Sequence, residues 1–249
     1  MKTLVLILNF ETPELVLPLY DSLKLYEMLD YDIFILDNGS CNANELSDNI
    51  TIKLGANYYF GNALNVGFKY ILKYTLKYDS LLFMNSDIIV HPMNFVKSLR
   101  KYMFENDYAI LSPSIIQPKS NEQCHWKQMH QWNSNTIRDT KWIDFQCPMF
   151  SRKFIEKVNQ FDSKLNYGWG NDIYSGIVCE ENNWKIGVCD NVSAIHLNSY
   201  TINKFKGTSE ISNYNRTAEI NMFQYFTDTN QINKLIEYRQ YGENYSYNI

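Results

Sequence analysis

The chain has 249 residues, 45% of them apolar and 20% charged, with a formal net charge of −4 at neutral pH. That length suits one α/β domain with a C-terminal appendage, and the charge gives no basic footprint for duplex nucleic acid or anionic lipid. The longest apolar runs are strand-length, well short of the roughly 20 residues that cross a bilayer, so no transmembrane span is expected.

Lys2 to Asn9 enters an apolar run at once, without a cleavable leader, and its lack of alternation suits a strand buried on both faces of a parallel sheet. Thr12 and Pro13 then open a helix carrying Leu15, Leu19, Leu23 and Tyr26 at helical spacing. Asp32 to Leu36 predicts a second buried strand, closing on the turn Asp37-Asn38-Gly39-Ser40, and Ile50 to Leu54 a third. An amphipathic helix is expected from Asn62 to about Tyr78. Leu81 to Met84 predicts a fourth strand, which ends in Asn85-Ser86-Asp87. Helix Pro92 to Phe104 and strand Ala109 to Ser112 complete an alternation that argues for a doubly wound, mainly parallel sheet. Ligands bind such sheets beyond the carboxyl ends of the strands, where Asn9 to Glu11, Asp37 to Ser40 and Asn85 to Asp87 all fall.

The second half is less regular. Residues 117 to 142 are polar with Trp126, Trp132 and Trp142 interspersed, which suits either a sugar-stacking surface or a loop anchored by its tryptophans. Asp144 to Ser151 reads as extended and Phe154 to Asn159 as helical. After the turn Tyr167-Gly168-Trp169-Gly170, Asn171 to Asn182 reads as a helix. Short strands are expected at Lys185 to Cys189 and at Ile195-His196, and one helix from about Thr217 to Tyr238, packed on the domain rather than on a membrane. The five cysteines form no C-x-x-C pair and point to reduced thiols in a cytoplasmic protein.

The ordered motifs Asp37-Asn38-Gly39-Ser40, Gly61-Asn62-Ala63-Leu64-Asn65-Val66-Gly67, Phe83-Met84-Asn85-Ser86-Asp87, Gln160-Phe161-Asp162, Trp169-Gly170-Asn171-Asp172 and His196 resemble those of family-2 glycosyltransferases. The resemblance spans roughly residues 3 to 200 and implies a GT-A fold, with a nucleotide-binding half over about 1–115 and an acceptor-binding, catalytic half over about 116–200. Residues 201–249 form a C-terminal loop and helix. The implied reaction moves a sugar, with inversion, from a UDP- or dTDP-sugar to a carbohydrate or other hydroxyl acceptor during glycan synthesis. The implied cofactor is Mn²⁺ or Mg²⁺.

Such a transfer builds charge on the leaving diphosphate, which a divalent cation neutralises. Asp87, an acid at the end of a buried strand, and His196, at the end of a later one, are the expected metal ligands; Asn85 stands where the family pattern has a further acid. The acceptor hydroxyl needs a general base, assigned to Asp172, with Trp169, Gly170 and Asn171 around the acceptor. Asn171 replaces the family's Glu, and Tyr174 and Val178 stand where a further acid and an Arg are expected; Lys204, Lys206 or Arg216 are the alternative cations. Asp37 is expected to accept from a pyrimidine imide N–H, with Asn9, Glu11, Asn38, Gly61, Asn62, Asn65, Asn85 and Ser86 completing the donor pocket. Each motif also has a plainer reading: Asp-Asn-Gly-Ser is a good turn, and Asp87 and Asp172 sit where helix caps are common. Two other classes stay open: a non-catalytic sugar- or nucleotide-binding module, and a nucleotidyltransferase, which would be expected to open with a Gly-rich phosphate loop that Asn9 to Pro13 is not.

Overall fold

The computed structural model describes residues 1–25, 30–46, 48, 51–91, 93–116, 126–132, 134–197, 200, 204 and 209–245. Tyr26, Ile50, Pro92 and Lys206, all weighed above, lie outside them.

Strand β1 (Lys2–Asn9) lies between β2 (Tyr31–Asp37) and β4 (Tyr78–Asn85), parallel to both, and β3 (Thr51–Lys53) extends the sheet beyond β2. Leu4, Val5, Leu6 and Ile7 are fully buried, as an unbroken apolar strand covered on both faces requires. Helices α1 (Pro13–Lys24) and α2 (Tyr59–Lys73) provide the crossovers. The helix expected to reach Tyr78 stops at Lys73, because Tyr78 is the first residue of β4 and pairs with Lys2. Gly67 lies where an added Cβ would meet the Leu6 and Leu81 side chains at 3.0 and 2.9 Å, so its lack of a side chain lets α2 sit close on the sheet.

Beyond β4 the order is β8 (Met149–Ser151), β6 (Tyr108–Ile116), β9 (Lys185–His196) and β5 (Ile88–Val90), with β7 (Ile137–Asp139) also on β9. Here the sheet is mixed: β8 runs antiparallel to β4 and β6, β6 is parallel to β9, and β5 and β7 are antiparallel to β9. The sheet is thus mostly parallel, as expected. The difference lies in β5, which follows Asp87 directly and returns to pair Ile88 with His196. Only Met149–Ser151 of the extended stretch from Asp144 is strand, and the two short strands expected near Lys185 and His196 are one continuous β9. Helix α3 (Phe95–Glu105) begins after Asn94, whose φ of 63° marks a left-handed entry. Helices α4 (Arg152–Val158) and α5 (Asn171–Glu181) follow in the second half.

The tail forms two helices, α6 (Ser209–Asp228) and α7 (Ile232–Glu243), rather than one. Asn230, at φ 57°, turns the chain between them, and an apolar pattern without a proline gave no sign of this break. The pair has its own small core, in which Met222, Phe226, Leu235 and Tyr238 pack with Trp142, Leu165, Ile173 and Ile177. Among the described residues no helix is long and apolar enough to cross a membrane.

Candidate active site

One cleft of about 960 Å³ opens at the carboxyl ends of β1, β2 and β4 and runs on between α5 and the two tail helices. Of the residues singled out in the sequence, Asn38, Asn85, Ser86, Asp87, Trp169, Gly170, Asp172 and His196 line it.

At its centre are the ends of β4 and β9. His196 Nε2 lies 3.2 Å from Asp87 Oδ1, and Asp87 Oδ2 accepts from the Tyr200 backbone N–H at 3.1 Å. The pairing of β5 with β9 explains the approach: Asp87 immediately precedes Ile88, whose partner across the sheet is His196. Burial on its own would raise the Asp87 carboxyl, but the His196 bond and charge together with the Tyr200 N–H outweigh it and hold the group below its ordinary value. Asn85 Oδ1 is buried beside them and accepts no hydrogen bond among the described residues. Among the described residues no group of three or more His, Cys, Asp or Glu side chains could cage a metal ion. The pair plus the spare Asn85 oxygen fits instead a hard cation that fills its remaining positions with phosphate oxygens and water.

The far end of the cleft surrounds Asp172. Gly170, at φ 86°, turns the chain into α5, and a Cβ there would press on Met222 at 2.9 Å and Phe226 at 3.0 Å of α6. Asp172 is the second residue of α5, where the helix dipole favours a carboxylate. Its Oδ1 accepts from the Ile173 N–H at 2.8 Å. Desolvation nevertheless pushes its pKa up to about 7; the neighbouring Asp144 adds to this, and the backbone N–H groups and Arg239 oppose it. A desolvated carboxylic acid poised near neutrality in a cleft is the pattern of a functional acid or base. Trp169 remains 37% exposed at its rim.

Seven expected site residues lie behind the cleft wall instead. Asp37 is 1% exposed, and its carboxylate accepts from Asn9 Nδ2 (2.7 Å), Ser40 Oγ (2.6 Å) and the Ser40 N–H (3.2 Å). Glu11 Oε1 accepts from the Cys41 N–H at 2.6 Å, so Asn9, Glu11 and Asp37 together tie the β1 and β2 loops into one unit. That unit holds Asn38 at the cleft, where its Nδ2 donates to Asn57 Oδ1 at 2.9 Å. Asn65 makes two bonds with the Phe161 backbone, at 3.0 and 2.7 Å. Gly61 lies against Leu165 O, 2.5 Å from where a Cβ would be, and Asn171 Nδ2 donates to that same oxygen at 3.1 Å. The Gly61 to Gly67 motif and Asn171 therefore join α2 to the 161–171 segment, and Asn62 on the same turn is half-buried away from the cleft.

The sequence reading missed two charged lining residues, Asp144 and Arg239. Asp144 lay in a stretch read as strand, and Arg239 in a tail read as packing. Of the cations considered instead, Lys204 donates to Glu11 O at 2.6 Å, and Arg216 is exposed. Trp142 is fully buried, its Nε1 donating to Tyr238 O at 2.8 Å, and Trp126 packs edge-on against it; both border the cleft.

No curated protein matches the chain in sequence. Among solved structures, residues 1–349 of S. aureus TarS are 12% identical, with a TM-score of 0.57 over 91% of this chain and 72% of that one. GalNAc-T7, solved with UDP, GalNAc and Mn²⁺, is 11% identical, with a TM-score of 0.62 over 79% of this chain and 44% of that one. Likeness at this identity shows a shared fold, the GT-A fold. Residues 4–155 match the model of glycosyl transferase family 2, which covers most of the strand-helix alternation and the Asp87 turn, and the chain belongs to that family.

Proposed function

We propose that this chain transfers a sugar from a UDP- or dTDP-sugar to a hydroxyl of a carbohydrate acceptor, with inversion at the anomeric carbon. The observation that carries this reading is one cleft holding the Asp87–His196 pair at its centre and, at its far end, an Asp172 carboxyl poised at about 7. Solved GT-A relatives support the donor class: TarS was solved with UDP and with UDP-GlcNAc, and GalNAc-T7 with UDP and Mn²⁺.

Asp172, as carboxylate, takes the proton of the acceptor hydroxyl as that oxygen bonds to the anomeric carbon. The bond from that carbon to the diphosphate oxygen breaks, and its electron pair leaves with the diphosphate. Near neutral pH a group titrating around 7 is partly ionised and still basic enough to accept the proton, the compromise that general base catalysis favours. Asp87, His196 and Asn85 would hold the divalent cation, Mn²⁺ or Mg²⁺, which when bound supplies positive charge to the diphosphate oxygens. Asn38 and its Asn57 partner face the nucleoside, and Asp37, buried behind them, braces the loop that presents Asn38. Trp169, with Gly170 beside it, offers a flat apolar face to the acceptor ring. The four cysteines described are free thiols, three of them buried, which is consistent with a cytoplasmic setting.

A binding module gains nothing from a desolvated acid that weakens the fold at neutral pH, which favours the catalytic reading. The test is a donor screen with the purified chain and Mn²⁺ or Mg²⁺, reading released nucleoside diphosphate. Release from a UDP- or dTDP-sugar, lost in Asp172→Asn, is expected; release from none of the donors with any acceptor or with water would overturn the reading.

A further inference from the structure

Asp172 meets charges from two parts of the chain that lie far from it in sequence, and glycines at tight contacts explain how they come so close. Gly176 is one turn past Asp172 on α5, and a Cβ there would stand 2.4 Å from Lys141 O, 2.7 Å from the Tyr238 ring and 3.1 Å from Trp142 Cβ. Gly242, one turn past Tyr238 on α7, presses the same way on Trp142 and Trp126, at 2.7 and 2.8 Å. The Trp142 Nε1 bond to Tyr238 O closes the arrangement. Three segments therefore converge at one point: the start of α5, the stretch that carries Asp144, and the α7 turn that carries Arg239.

Both side chains line the cleft with Asp172, and Arg239 also lies over the Phe223 ring of α6, its guanidinium carbon 5.9 Å from the ring centre. Among the other charged residues of these segments, Lys141 bonds Glu237, and Lys234 bonds Glu180. α6 contributes Tyr214 but no charged side chain to the described cleft lining, whose other titratable groups are the Asp87–His196 pair, Tyr59 and Tyr167. Apart from His196, Arg239 is the one basic side chain among the described lining residues.

We propose that Asp144 and Arg239 are positioning residues for the base: the docked tail helices and the Lys141–Asp144 stretch carry them to the same end of the cleft, so that Asp172 sits between an acidic and a basic neighbour. The site is complete only while α7 is docked. This rests on the reading of Asp172 as the base, but it makes a claim about the free protein as well. Without Arg239, burial and Asp144 act unopposed and the acid form prevails; without Asp144, the carboxylate is favoured.

The experiment is a ¹³C-carboxyl NMR titration of the full chain, with the Asp172 signal identified by its loss in Asp172→Asn, run beside pH profiles of turnover. The wild-type midpoint is expected at about 7. Asp144→Asn should lower the midpoint by about one pH unit, Arg239→Gln should raise it by a smaller amount, and Arg239→Lys should restore it. The acid limb of turnover should move with it. An unchanged Asp172 midpoint in Asp144→Asn and in Arg239→Gln, each with wild-type circular dichroism, would overturn the inference. Should one variant not fold, the other decides alone. Full turnover in Asp172→Asn would instead sink the base assignment and leave the titration result standing.

Discussion

The side of the cleft proposed for the donor comes from strand ends that follow one another through the first half of the chain: Asn38 after β2, and Asn85 to Asp87 after β4. The side proposed for the acceptor has no such scaffold. Asp144 precedes β8, Trp169 and Asp172 open α5, and Arg239 arrives on α7, held by the small second core rather than by sheet pairing. Parallel strands place their loops together by register alone, so local sequence specifies the first arrangement. The second depends on contacts between segments remote in sequence, and changes to its helices should affect chemistry rather than donor binding.

That contrast can be broken at several points. The largest effect is expected from removing the cation: EDTA should reduce transfer to background, and Asp87→Ala should weaken donor binding more than His196→Ala, since it deletes a charge beside the diphosphate. Titration calorimetry of the nucleoside diphosphate with and without Mn²⁺ reads this directly, and full activity in EDTA would require a metal-independent mechanism. On the acceptor side, Asp172→Asn should lower turnover by about 10²–10⁴-fold with donor affinity unchanged, because the amide cannot take the proton. A matching loss of donor affinity would erase the distinction between the two sides.

The same substitution should change stability in a pH-dependent way. The Asp172 carboxyl has an ordinary pKa of 3.8 and titrates at about 7 in the folded chain. Between these values the folded form holds a proton that the unfolded form releases, so wild-type stability falls as pH rises through about 4 to 7 and levels off above. Asp172→Asn removes that slope, and at pH 8 it should be more stable than wild type by on the order of 1–3 kcal/mol, reduced from the full linkage value because the side chain retains some solvent contact. Thermal melts at pH 5 and pH 8 test this; parallel profiles for the two proteins would contradict it.

The smallest effect concerns the nucleobase. UDP and dTDP should bind about tenfold better than GDP and CDP, and Asp37→Ala, which loosens the loop that presents Asn38, should narrow that gap. Equal affinities for all four diphosphates would contradict it.

These differences also explain what the sequence disclosed. β1, β2 and β4 were legible because each is an apolar run ending in polar turn residues, and Asp87 and His196 because they sit at such ends. Asp37, Asn65 and Asn171 matched the motifs, but a side chain that clamps a loop and one that holds a ligand have the same local signature; their bonds to Ser40, Phe161 and Leu165 depend on tertiary packing. Asp144 and Arg239 carried no motif at all. The nearest signal was Gly176 and Gly242, glycines inside helical patterns, each of which marks a close approach.

The central claim is that one cleft joins a donor diphosphate to an acceptor hydroxyl through Asp172. It is tested most directly by single-turnover transfer of a radiolabelled sugar from its UDP- or dTDP-donor to an oligosaccharide acceptor, with wild type and Asp172→Asn compared at pH 7.5 in Mn²⁺. The account predicts labelled product from wild type and at least a hundredfold slower formation in the variant at equal donor occupancy. Equal rates in the two proteins would contradict it.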